Sequence, residues 1–291
     1  MIPELVYVLV GLLSGAVGGL LGLGGAVVLI PLLVLGMGQQ YEPVRILSLI
    51  NNVFVSVSAA IQHRGARLHL RKGLKSLIPA GLAGVVLGFV IGKDLGHTSL
   101  CVLAGACLVY VSGHLLWEKE NPSVEGEAPE VNHFLCSLVG FLAGGGSSIL
   151  GVGGGIIAVP GQKLVMKLPL RQAIANSSAM IIMTSTFSAM LYLIVGGPET
   201  WGGLTLGEIA WASLWLLPGS FVGAQLGGYL TTRLRIHHLR WAAALVFFYA
   251  GVRMVLGAFV SAPPGKASSK TSPAAPPTTQ ETSETSAMPA R

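Results

Sequence analysis

The chain has 291 residues, of which 52% are hydrophobic and only 10% charged, with a mean hydropathy of +0.70. A soluble domain carries about 25% charged residues, so this composition excludes a water-coated globule and predicts an all-α integral membrane protein. The net charge of +6 sits in a few short loops between apolar runs, where membrane topology accounts for it; no nucleic-acid partner is expected.

The N-terminal stretch MIPELVYVLVGLL lacks the basic start of a signal peptide, and its apolar run is too long for one, so it is expected to be retained. Apolar segments of membrane-crossing length follow at about 5–37, 44–62, 74–93 and 98–117. A polar linker at 118–132, EKENPSVEGEAPEVN, then holds five of the twelve acidic residues. Four more apolar segments follow at about 134–166, 171–196, 207–230 and 237–260. The linker therefore divides a first membrane repeat, 1–117, from a second, 133–260. Residues 261–291 are rich in Pro, Ser, Thr and Ala and cannot bury a core, so they are expected to form a disordered tail. Cys101, Cys107 and Cys136 lie in or beside apolar runs, form no CxxC pair and read as buried inert thiols.

The two halves repeat in sequence. Residues 11–31 align without gaps on 140–160 with eight of 21 positions identical, among them Gly22/Gly151, Gly24/Gly153, Gly25/Gly154 and Pro31/Pro160. PVRILSLINN at 43–52 then matches PLRQAIANSS at 169–178, and PAGLAGVVLG at 79–88 matches PGSFVGAQLG at 218–227. Each half reads as a glycine-broken apolar segment followed by three helices.

Loop charges assign the orientation of the halves. Arg64, Arg67, Arg71, Lys72 and Lys75 crowd the loop after the second segment of the first half, whereas the corresponding loop of the second half, GGPETWGGLTLGE, has no Lys or Arg. The next pair of loops reverses the bias: GKDLGH has one Lys, while TTRLRIHHLR has Arg233, Arg235 and Arg240. Basic loops stay cytoplasmic, so equivalent loops fall on opposite sides and the repeats are predicted to be inverted. Inversion requires an odd number of crossings per half. Each glycine-broken segment is therefore expected to be a hairpin that enters and leaves on one face, with the linker at 118–132 on the cytoplasmic side.

The glycine clusters allow two readings. They are either a small-residue packing seam, or broken backbone that lines a wet cavity at membrane depth. In the second reading the half-helices starting near Gly25 and Gly154 point backbone N–H groups at an anion, as in transporters with discontinuous helices. The candidate substrate-binding residues are Gly24, Gly25, Gly153, Gly154 and Gly155 at the tips, with Asn51, Asn52, Asn176, Ser177 and Ser178 on the helices that follow. These amides and hydroxyls either donate to an oxyanion or act as interhelical glue. Arg45 and Arg171 open matching helices and Arg253 interrupts the last apolar run; they either steer anions toward a mouth or snorkel at the interface. Glu4, Glu42, Asp94, Glu199 and Glu208 all lie near segment ends. A carboxylate-bound cation is thus hard to place, which favours an anionic substrate. No metal site and no cofactor are expected.

The glycine spacing Gx3G, then LGxGG, then a proline, then AxxNS, occurring twice around a polar linker, resembles the sulfite exporter TauE/SafE family of membrane permeases. The second half keeps this pattern in Gly153, Gly154, Gly155, Pro160, Ala173, Asn176 and Ser177; the first half departs from it at Ala26, Leu47 and Asn51. The resemblance implies a multi-pass protein of the cytoplasmic (inner) membrane that passes small sulfur-containing anions such as sulfite, thiosulfate or organosulfonates. The expected function is a secondary transporter working by alternating access, with an anion channel as the alternative. A membrane-embedded enzyme fits less well, because the sequence offers no carboxylate pair, metal-spaced His cluster or Ser–His–Asp grouping.

Overall fold

The apolar runs fold as helices and break where the glycines cluster. The computed structural model describes residues 2–62, 71–117, 132–166, 170–233 and 236–260. The first repeat contains α1 (Ile2–Leu21), the short α2 (Ala26–Pro31), α3 (Tyr41–Gln62), α4 (Arg71–Gly92) and α5 (His97–Trp117). The second contains α6 (His133–Leu150), α7 (Gly155–Met166), α8 (Leu170–Met190), α9 (Leu206–Arg233) and α10 (Ile236–Val260). No strand occurs among the described residues. All of them lie within one compact unit, Met1–Ser261. The linker at 118–131, the tail at 261–291, and Arg64 and Arg67 of the basic loop lie outside the described residues.

Among the described residues six helices are long and apolar enough to cross a membrane: Tyr41–Ile61, Gly73–Gly92, His97–His114, His133–Leu150, Gln172–Gly196 and Leu206–Leu230. Shorter apolar helices cover Glu4–Leu20, Ala26–Gly36 and Ala244–Ala258. The protein is a multi-pass helical membrane protein. Large apolar side chains face outward along these helices, for example Leu142, Leu214, Val246 and Tyr249, as a lipid-facing surface requires. The centre is the first-repeat helix α3, of whose membrane window 72% is buried, against 33–44% for the other five.

Two proline positions shape the hairpins. Pro31 lacks a backbone N–H, and the helix widens into a π-turn at Leu32–Gly36 directly after it. Pro160 lies inside α7 without such a change.

The tightest packing exchanges helices between repeats. α1 packs along α9, and α4 along α6. Gly11, Gly15 and Gly19 of α1 face Leu216, Ser220 and Ala224 of α9 in the same numerical order, so these helices run parallel. Gly140 and Gly144 of α6 face Leu77 and Gly81 of α4, again in order. A Cβ on Gly19 would stand 2.5 Å from the Ala224 carbonyl oxygen, and one on Gly88 2.5 Å from that of Gly145. These backbones touch because no side chain separates them, the packing mode of lipid-embedded helices. α5 and α10 pack in the opposite sense: Gly105 meets Gly251, and Ser112 Oγ donates to Ala244 O at 2.8 Å.

Candidate functional site

The hairpin tips, 22–25 and 151–154, meet each other beside α3 and α8. Gly22, Gly24, Gly151, Gly153 and Gly154 have φ of 65°, 85°, 73°, 81° and 73°, a region that disfavours side chains bearing Cβ. A Cβ on Gly155 would stand 2.7 Å from Leu23 O, and one on Gly24 3.7 Å from Val152 O. The two tips are thus in backbone contact.

Asn52 joins them. Its Oδ1 accepts the Ala26 N–H at 3.0 Å, and its Nδ2 donates to Gly151 O at 3.1 Å. One buried amide therefore caps the start of α2 and the end of α6 together. The same side chain crowds Gly24 and Gly153, whose Cβ positions lie 2.8 Å from Oδ1 and 2.6 Å from Nδ2. Asn51 points to the other side of α3, where its Nδ2 lies 2.5 Å from the Cβ position of Gly25 and 3.5 Å from Ser14 Oγ. Its Oδ1 is buried without a partner among the described residues.

On α8, Ile174 meets Gly22, and Ile181 meets Gly153 and Gly155. Ser177 and Ser178 lie between these two on the same helical face. Ser178 Oγ donates back to Ile174 O at 2.8 Å, whereas the fully buried Ser177 Oγ has no partner among the described residues. Asn176 is buried on the same helix, and no contact brings it to the tips.

The end of α6 is enclosed by polar side chains. Gly151 N–H donates to Ser147 O. Ser148 O accepts from Tyr192 Oη at 3.1 Å, and Leu150 O from Tyr41 Oη at 2.7 Å. Gly151 O accepts from Ser48 Oγ at 2.8 Å as well as from Asn52. Arg45 completes this enclosure. Its Nη1 donates to Gly92 O at 2.8 Å and approaches Ile149 O at 3.5 Å. Its guanidinium carbon lies 4.0 Å from the centroid of the Tyr192 ring, within cation–π range. The negative end of the α6 dipole favours a cation here.

The structure corrects three sequence expectations. Arg45 is fully buried rather than placed at a mouth or an interface, because glycines at 92 and 151 let the guanidinium pack between backbones. The α2 N-terminus does not offer a bare amide at Ala26, since Asn52 takes it. The tips are in backbone contact rather than apart, because glycines without side chains let them close directly on each other. A cavity of about 10 Å³ does lie beside them, but its lining, which includes Ala26, Ile30, Ala104, Cys107 and Ile156, is apolar, and its size is that of about one water. The tips are closed in this conformation.

Arg253 lies exposed on α10, on the outward face that carries Val246, Tyr249 and Leu256. Arg171 belongs to α8, but its side chain lies outside the described set. Sequence reasoning missed Tyr41, Ser48 and Tyr192, which read as ordinary helix residues. It also missed Gln162 of α7, which is 1% exposed with neither amide atom partnered; a glutamine inside an apolar half-helix was the available signal. Among the described residues no group of three His, Cys, Asp or Glu gathers to hold a metal.

The profile described as "Sulfite exporter TauE/SafE" matches residues 7–254. The chain belongs to the sulfite exporter TauE/SafE family. The Haemophilus influenzae "Probable membrane transporter protein" is 28% identical over 270 residues, covering 87% of this chain and 98% of that protein. YunE of Bacillus subtilis, with the same description, is 24% identical over 279 residues, covering 86% and 96%. MamO of Paramagnetospirillum magneticum, another "Probable membrane transporter protein", is 26% identical over 285 residues. The match takes in 85% of this chain but only 44% of MamO, so the chain spans less than half of that relative. No solved structure gives a significant match. This TauE/SafE protein is a member of a membrane transporter family.

Proposed function

We propose that this TauE/SafE protein is a secondary transporter that moves small sulfur-containing anions, such as sulfite, thiosulfate or organosulfonates, across the cytoplasmic membrane by alternating access. The observation that carries the reading is the charge inventory of its core. Among the described residues Arg45 is the one fully buried charged side chain, and Glu42, one turn earlier on α3, keeps 14% of its side chain exposed. A buried cation beside glycine-broken helices suits an anion and repels a cation. The binding region comprises the tip glycines Gly24, Gly25, Gly153, Gly154 and Gly155 with Asn51, Asn52, Asn176, Ser177 and Ser178; Arg171 and Arg253 carry an electrostatic role outside it.

The inverted arrangement of the repeats is part of this reading, and the helix directions support it. α1 starts beside the start of α3, where Tyr7 Oη accepts from Gln39 Nε2, and passes Asn51 of α3 at Ser14, whereas α6 ends beside the start of α3, where Leu150 O accepts from Tyr41 Oη. α1 and α6 therefore point opposite ways. The exchanged pairs α1/α9 and α4/α6 then form two stiff bodies, one per hairpin, with α3 and α8 between them. Rocking of one body against the other exposes the tips to either side in turn, and the closed tips fit the occluded stage of that cycle.

Proteoliposomes test the proposal. Saturable sulfite or sulfonate flux, stimulated by anion on the opposite side, is the expected result. A linear conductance resolved electrically points to a channel and defeats the carrier. Normal flux in both Gly154→Leu and Asn176→Ala, at normal expression, rejects this site assignment.

A further inference from the structure

We infer that the Nε–Nη2 edge of Arg45 is the charged element of the binding site and takes two oxygens of a single oxyanion, of the sulfite, sulfonate or carboxylate type. This rests on the anion-permease reading and names the group that recognises the substrate.

Guanidinium keeps its charge wherever it is placed. Arg45 is fully buried, yet no carboxylate of the described residues pairs with it; Glu42, one turn earlier on α3, lies 4.0 Å from His97 Nδ1 instead. Helix capping uses only Nη1, which serves Gly92 O and reaches toward Ile149 O. Among the described residues Nε and Nη2 have no partner. These two nitrogens form one side of the planar fork, the side that meets a two-oxygen face in parallel hydrogen bonds. A residue present only to cap α6 has no need of that edge, and leaving it unpaired in a dry core is unfavourable.

Glycines let two backbones close on the Arg45 side chain. A Cβ on Gly92 would stand 3.5 Å from Nη1, and one on Gly151 2.9 Å from the Arg45 Cγ. The Tyr192 ring fixes the plane from one face. At the start of α3 the His97 ring accepts the Tyr41 N–H at 3.0 Å, and its side chain is 36% exposed. A fork of this shape selects a trigonal or tetrahedral oxyanion over a spherical halide.

Purified full-length protein, with Arg45→Lys and Arg45→Gln, is titrated with sulfite, methanesulfonate, acetate and chloride at constant ionic strength. Wild type is expected to bind at least one oxyanion and to ignore chloride. Arg45→Lys, which keeps the charge and loses the fork, is expected to bind that oxyanion at least tenfold more weakly, and Arg45→Gln not measurably. Wild-type affinity in both variants overturns the Arg45 assignment and leaves the anion reading standing. Wild type that binds none of the four while transporting a neutral or cationic solute overturns both. Should the variants fail to fold, a wild-type structure with selenite decides by the selenium position. Oxygens about 2.8 Å from Nε and Nη2 are expected, and an ordered selenite elsewhere in the core with none at Arg45 overturns the assignment.

Discussion

Asn52 Nδ2 donates to Gly151 O across 99 residues of sequence, while the other end of the same amide holds the Ala26 N–H. The start of one hairpin's return helix and the end of the other hairpin's entry helix are thereby tied to one side chain. Each repeat is thus locked to its partner by a residue of the first repeat alone; Ser178, at the matching place in the second, bonds only its own helix.

Asn52→Ala leaves the buried Ala26 N–H unpaired, at a cost of about 1–3 kcal/mol, while Gly151 O keeps the Ser48 hydroxyl. A marked fall in thermal stability and in transport is expected, read by melting in detergent and by flux. An unchanged melting temperature means that the bridge contributes nothing.

Gly153→Ala combines a φ of 81° with a Cβ placed 2.6 Å from Asn52 Nδ2. Left-handed backbone costs a residue with Cβ roughly 1–2 kcal/mol, and the displaced amide adds to it. Flux is expected to fall more than expression does. Equal losses in the two measurements assign this glycine to folding alone.

The glycine seams separate tolerant from intolerant positions. Gly144→Val drives a side chain into Gly81 O of α4, and Gly19→Val into Ala224 O of α9; overpacking of this kind costs about 1–3 kcal/mol or more. Gly113→Ala and Gly257→Ala meet nothing within 4 Å and are expected to leave yield and stability unchanged. The comparison is made by detergent-solubilised yield and melting temperature across the four variants.

Single cysteines placed at 72, 205 and 240 report the sides of the membrane. Inverted repeats place 72 and 240 together and 205 opposite. An impermeant thiol reagent that labels 72 and 205 from the same side removes the inversion, and with it the rocking mechanism.

Arg253 shares an outward face with Tyr249 and Leu256. Arg253→Gln is therefore expected to change flux by less than about twofold, with any loss confined to low ionic strength, where steering acts. A tenfold loss at high salt instead places this arginine in the substrate path.

Composition alone fixed the solvent of this protein, because so few charges cannot coat a water-facing surface. The repeat and its breaks were equally legible: Gly22, Gly24, Gly151 and Gly153 mark the interruptions within a residue or two, since left-handed backbone selects glycine locally. Tertiary structure decided what those breaks face. The burial of Arg45 depends on Gly92 and Gly151, 47 and 106 positions away along the chain, and its stacking partner Tyr192 lies in the other repeat. The roles of Asn51 and Asn52 diverged for the same reason: adjacent residues on a helix point about 100° apart, so one meets the first tip's Gly25 and the other spans both tips. Local rules carry helix, break and charge, whereas the pairing of buried polar atoms is a property of which distant backbones come together.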